Sequence, residues 1–185
     1  MASASPYRPE FEAALRLFAQ VSEAMHRRGF LRPVLVGGAA VELYTGSAIT
    51  TGDFDLATGR QDAFEEDLQR VGFVRPAGPG TFSRGLVHPD LKLGFEVVSA
   101  TLLDGMAERE RVRLVTLEPD GTIEVLSIED MIADRVGQYA SGTANDRLDQ
   151  ARALFALFPD VDRAYLERRI RYDSAGDHGL EILTP

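Results

Sequence analysis

"VLVGGAAVELYTGSAITTGDFDLAT", residues 34–58, sets a short apolar run against a glycine pair, Gly37 and Gly38, and then places two aspartates, Asp53 and Asp55, one residue apart. The stretch "RPVLVGG" reads as a short buried strand running into a glycine turn. "AAVELY" then reads as a short helix ending near Gly46, and "GDFDLAT" as the returning strand. In a strand, Asp53 and Asp55 point to one face while Phe54 and Leu56 point to the other, so a core can form beneath an exposed carboxylate pair. Two like charges this close are unfavourable unless a cation binds or one carboxyl keeps its proton. Oxygen-only ligands at this spacing suit Mg²⁺, which takes one or two carboxylates and fills its shell with water and phosphate oxygens. An Asp-x-Asp pair in an acidic chain is also simply a solvated strand end, and at this point both readings stand.

Outward from this stretch, residues 9–28 carry Phe11, Leu15, Phe18, Val21 and Met25 at helical spacing, with Gly29 as a stop. After the aspartates, "QDAFEEDLQRVG" is expected to be a helix, and "TFSRGLVH" and "LKLGFEVVS" to be strands, with a loop at "RPAGPG", residues 75–80. In "LKLGFEVV", Leu93, Phe95 and Val97 alternate with Gly94, Glu96 and Val98, which gives this strand a single acid. Glu96 is a candidate third ligand or an exposed edge glutamate. The runs flanking Pro119-Asp120-Gly121 form an expected hairpin. After Ser127 the pattern turns helical: Ser127 with Asp130 resembles a capping box, Asn145 or Asp146 is placed to cap a second helix, and Asp160 or Asp162 a third. The tail after Tyr172 is expected to fray. Residues 1–126 are thus expected to be an α/β core and residues 127–185 a helical segment packed on it.

Composition excludes several classes. With 185 residues the chain suits one domain or a domain with a small appendage. It has no cysteine, and His26, His88 and His178 lack metal-ligand spacing, so any metal must be held by oxygen. No stretch is apolar enough for a signal peptide or membrane span, and a cytoplasmic protein without a membrane partner is expected. The formal charge of -9 makes nucleic acid a second-choice partner. The arginines in "DRAYLERRIRYD" are interspersed with acids and read as an ordinary charged helix face. No P-loop or nucleophile-elbow motif is present.

A strand, Gly-Gly, a short helix, Asp-x-Asp on the next strand and a later lone acid together resemble the nucleotidyltransferase superfamily typified by DNA polymerase beta. "GGAAVELYTGSAITTGDFDL" and the helical run "LSIEDMIADRVGQYASGTANDRLDQARALF" are most similar to small bacterial nucleotidyltransferase-like proteins, including those related to the toxin of AbiE (AbiEii) abortive-infection systems. The resemblance implies an α+β fold, a mixed sheet flanked by helices with a C-terminal helical segment. It implies a transferase that moves a nucleoside monophosphate from an NTP to an acceptor, with Mg²⁺ or Mn²⁺ as cofactor. Asp53, Asp55 and Glu96 would be the catalytic and metal-binding carboxylates, and Gly37 and Gly38 would hold the triphosphate. Ser47, Thr50 and Thr51 would supply hydroxyl contacts to the nucleotide, and Arg135 would contact phosphate or base, although Arg135 also reads as a surface arginine paired with Asp134 or Asp130. The expected partners are the NTP, an acceptor that is a small molecule or a protein rather than tRNA, and an antitoxin-like protein. The chain departs from the family pattern in having Gly38-Ala39 where many members have Gly-Ser, and Glu96 where the third acid is often Asp. These departures support an alternative, a non-catalytic module of the same fold that binds nucleotide or a protein partner.

Overall fold

The computed structural model describes residues 5–76 and 85–184. Residues 77–80 of the expected glycine- and proline-rich loop, and the first part of the strand expected at 81–88, lie outside the described residues. The chain divides into two compact units, Met1–Val125 and Leu126–Pro185.

The first unit is built on a six-stranded mixed sheet. Its strands are β1 (Val34–Val36), β2 (Asp53–Ala57), β3 (Leu86–His88), β4 (Leu93–Ser99), β5 (Arg113–Leu117) and β6 (Gly121–Val125), in the order β3-β4-β2-β1-β6-β5. β2 runs antiparallel to β1 but parallel to β4, and β1 runs parallel to β6. The helices are α1 (Pro9–Arg27), α2 (Gly37–Thr45) and α3 (Gln61–Arg70). Pro9 at the head of α1 suits a first turn whose N–H groups have no helical partner, and Phe11, Leu15, Phe18, Val21 and Met25 are buried along one stripe.

That stripe meets the sheet through aromatic rings. Phe54 of β2 and Phe95 of β4 stack with centroids 4.5 Å apart, Phe11 lies 5.2 Å from Phe54, and Phe18 lies 6.1 Å from Phe95. Phe64 of α3 packs edge-on against Phe18, and Phe73 contacts Phe95. Strand alternation then fixes the other face: with Phe54, Leu56 and Phe95 turned into the core, Asp53, Asp55 and Glu96 are turned away from it.

The glycine pair does not form a turn ahead of the helix. α2 begins at Gly37 itself, which takes the left-handed φ of +62° and reverses the chain directly from strand to helix. A residue with a Cβ would be strained at this φ, so the turn needs no separate loop but does need this glycine.

The second unit contains α4 (Ile128–Ala140), α5 (Arg147–Leu157), α6 (Arg163–Asp173) and a 3-10 turn, Leu180–Leu183. Ser127 caps α4 by accepting from the Asp130 N–H at 3.1 Å, and Asp162 caps α6 by accepting from the Tyr165 N–H at 3.0 Å. Asp146 precedes α5 without a side-chain capping bond. The segment after Tyr172 is held rather than frayed: Leu183 is buried, the Leu180 N–H donates to Glu167, and Arg152 donates to the Ile182 carbonyl. A buried polar cluster joins α4 to α6, in which Asp130 accepts from the Tyr165 hydroxyl at 2.9 Å and from Arg169 Nε at 2.9 Å. The described residues contain no helix long and apolar enough to cross a membrane.

Candidate functional site

The carboxylate face is assembled by the register of three neighbouring strands. Asp55 is paired with Val36 on β1 and with Glu96 on β4, and Asp53 is paired with Gly94 on β4. In-register residues on paired strands share a face, and the strands are about 4.8 Å apart. Asp55 and Glu96 are therefore lateral neighbours, although 41 positions separate them in the chain. Asp53 lies exposed at the start of β2 and Asp55 is half-buried. Glu96 also lines a cavity with Gln61, Gly85, Val97 and Val98.

Glycines stand against these side chains. A Cβ at Gly37 would lie 2.2 Å from Asp55 Oδ2, and a Cβ at Gly94 would lie 2.7 Å from Asp53 Oδ1. The Gly94 N–H uses this closeness to donate to Asp53 Oδ1 at 3.0 Å. Gly38 sits over Thr51, whose Oγ1 would be 2.5 Å from an added Cβ. The aspartates and Thr51 thus occupy room that side chains at these glycines would take.

The loop between α2 and β2 is organised by a residue that sequence reading passed over. Glu42 is fully buried, and its carboxylate accepts from Arg8 Nε at 2.7 Å, from the Ser47 hydroxyl at 2.8 Å and from the Thr51 N–H at 2.7 Å. Arg8 also donates to the Thr51 carbonyl at 2.6 Å, and its bond to Glu42 strengthens the guanidinium's hold on its own proton. A charge this deep is tolerated because each oxygen is matched by a donor. The signal was a lone acid inside the otherwise apolar "AAVELY", which an exposed helix position would explain equally well.

The expected nucleotide contacts are distributed unevenly. Gly37, Gly38 and Thr51 lie beside the aspartates, and the Thr51 hydroxyl donates to the Asp53 carbonyl at 3.1 Å. Thr50 is exposed on the same loop. The Ser47 hydroxyl is engaged with Glu42 and accepts from the Arg8 N–H at 3.1 Å, so its present work is to shape the loop. Arg135 belongs to α4 of the helical unit, where it is buried and bonds Asp134 through Nε and Nη2.

Carboxylate oxygens are the donors of a hard, water-carrying cation such as Mg²⁺, and Asp53 and Asp55 match the one or two carboxylates that it takes. Among the described residues, no group of three or more His, Cys, Asp or Glu side chains is close enough to hold a metal ion. Asp53, Asp55 and Glu96 share a face of the sheet, but the three together do not form a metal-binding group.

Comparison with solved structures places this architecture. The chain is similar to the antibiotic-resistance factor ANT(2'')-Ia, whose solution structure is described as showing substrate-regulated conformation dynamics, with a TM-score of 0.57 and 14% identity over 89% of this chain and 92% of that one. It is similar as well to an antigenic nucleotidyltransferase-like protein from Paracoccidioides brasiliensis, with a TM-score of 0.58 and 15% identity over 96% of this chain and 93% of that one. The chain has a nucleotidyltransferase-like fold: a mixed six-stranded sheet with helices, followed by C-terminal helices. No protein-family model matches the chain, and no curated protein matches it in sequence.

Proposed function

We propose that this protein is a Mg²⁺-dependent nucleotidyltransferase that moves a nucleoside monophosphate from an NTP to an acceptor hydroxyl and releases pyrophosphate. The observation that carries the reading is the in-register pairing of Asp55 with Glu96, two residues along from Asp53 and beside the side-chain-free Gly37 and Gly38. Asp53 and Asp55 would hold the metal, which when bound would supply the positive charge that offsets the triphosphate and the developing charge of in-line displacement, with Glu96 beside Asp55. The first turn of α2 starts at Gly37, and the backbone N–H groups that such a helix start leaves without intrahelical partners would bind phosphate oxygens beside the carboxylates. Thr51, held by Glu42 and Arg8, fixes the loop against Gly38. Glu96 is the carboxylate assigned to accept the proton of the attacking hydroxyl. The acceptor in this reading is a small molecule or a protein side chain, since a chain of net charge -9 is ill suited to gripping tRNA.

A second reading is a non-catalytic module of the same fold, serving as a nucleotide-binding or interaction partner, for example in a toxin–antitoxin pair. It is favoured by Gly38-Ala39 in place of Gly-Ser and by the engagement of Ser47 with Glu42, which leave the glycine turn without a nearby serine hydroxyl for phosphate. Thermal melting with Mg²⁺ and each NTP tests binding: the wild type should be stabilised, and the Asp53→Ala/Asp55→Ala double variant should not. An equal rise in the double variant rejects the carboxylate site. Labelled NTP incubated with cell extract then separates the readings, because transfer of label by the wild type and its loss in Glu96→Gln requires catalysis, whereas binding without transfer selects the module.

A further inference from the structure

At the end of the sheet where β1 begins and β2 and β4 finish, a cavity of about 380 Å³ opens to solvent. This volume falls in the roughly 300–1,000 Å³ range of small-molecule pockets. Its walls include Leu31, Ala57 and Leu102 together with three arginines, Arg32, Arg60 and Arg109.

The three arginines are not equivalent. Arg32 pairs with Glu23 at 2.9 Å and donates to the Thr122 carbonyl, so its charge is offset and its position fixed. Arg109 pairs with Glu124 and donates to the Arg32 carbonyl at 2.8 Å. Burial raises the Glu124 carboxyl, with Arg109 and Arg32 opposing, and the pair holds the Arg109 charge in place. Arg60 has no carboxylate partner among the described residues, and its guanidinium lies over the Phe30 ring, 4.4 Å from the centroid. Stacking on a ring face leaves the guanidinium's in-plane N–H groups available and limits the rotamer freedom lost on binding.

We propose that this cavity is a second ligand site, distinct from the carboxylate face, which takes a small organic anion whose carboxylate or phosphate head pairs with Arg60 and whose apolar body lies against Leu31, Ala57 and Leu102. Guanidinium forks match both head groups in bidentate geometry. Arg60, the one of the three without a carboxylate partner among the described residues, disfavours a cationic ligand, and the apolar walls disfavour a bare inorganic ion. The cavity reaches β2 at Ala57 and the following Thr58, three residues or roughly 10 Å beyond Asp55, so an occupant would leave the carboxylate face open.

The test uses the full-length ¹⁵N-labelled protein titrated with phenyl phosphate, with benzoate, and with benzyl alcohol as the neutral counterpart. The amide signals followed are those of Thr58, Gly59, Arg60, Thr101 and Leu102. Saturable shifts at these amides are expected from at least one anion, and the tighter of the two identifies the head group. The alcohol should bind roughly tenfold more weakly, and Arg60→Gln should weaken the anion by a similar factor, the usual weight of one charge-assisted hydrogen bond. Ala100→Phe, which fills the exposed rim, should abolish the shifts, and Asp53→Ala/Asp55→Ala should leave them unchanged. Absence of saturable shifts with both anions, equal binding of the alcohol, or undiminished binding to folded Arg60→Gln overturns the proposal.

Discussion

Gly37 carries two constraints at once, a left-handed φ and a carboxylate where its Cβ would go. Gly38 carries neither, and the nearest atom its Cβ would meet is a threonine hydroxyl that can rotate away. The two glycines therefore should not respond alike to alanine. Gly37→Ala is expected to cost about 1–3 kcal/mol from backbone strain, with further cost from displacing Asp55. Gly38→Ala should cost clearly less. Urea unfolding of the two variants against the wild type checks this, and equal losses would mean that the φ of Gly37 and its contact with Asp55 do not govern the turn. Glu42 is a different kind of residue: it ties Arg8, Ser47 and Thr51 together from a buried position, and its contribution is to the shape of the loop that precedes the aspartates.

At the scale of elements, strand alternation does most of the work. β2 and β4 turn phenylalanines into the core and acids out of it, and their parallel pairing sets Glu96 beside Asp55. The helical unit depends instead on caps and a buried polar cluster. The Ser127 hydroxyl accepts from the Asp130 N–H and donates to the Asp130 carboxylate at 2.7 Å, so one side chain both starts α4 and satisfies part of a buried acid. Ser127→Ala should lower stability by about 1–2 kcal/mol, the upper half of the usual range for losing a helix cap, because the Asp130 carboxylate also loses a donor. Chemical denaturation measures this, and a change below about 0.3 kcal/mol would show that the cap is dispensable.

Over the whole molecule, acids exceed bases, and several acids are buried, so stability depends on pH through particular groups and not through net charge alone. The clearest is Asp173, whose carboxyl is raised from 3.8 to about 6, chiefly by burial, with Arg169 opposing and Asp134 and Asp130 adding to the rise. A folded-state value above the unfolded one means that folding takes up a proton between about pH 4 and pH 6. The stability contributed by this group is therefore present below pH 4 and is lost as pH rises through about 6. The difference in unfolding free energy between wild type and Asp173→Asn should shift against the wild type across that window and level off above it. A difference that stays constant, or that moves in favour of the wild type, would contradict this assignment.

The elements legible from sequence alone were those set by local chemistry. The periodicity of α1, the turn residues between β5 and β6, the caps at Ser127 and Asp162, and the alternation that puts Asp53 and Asp55 on one face all depend on residues within a few positions of one another. The glycine pair was legible as a strand-to-helix reversal, but not as the first turn of the helix itself, because a glycine reaches a left-handed φ in a turn and at a helix start alike. Tertiary structure alone decided the strand order, and with it that β4 lies beside β2 so that Glu96 neighbours Asp55. It also decided that Glu42 is buried, that Ser47 is bound to it, and that Arg32, Arg60 and Arg109 line one cavity. The reason is physical: propensity, capping and alternation act over a few residues, whereas register, burial of charge and convergence of distant side chains are settled by which surfaces pack together, a choice made by the sum of many contacts distributed along the chain.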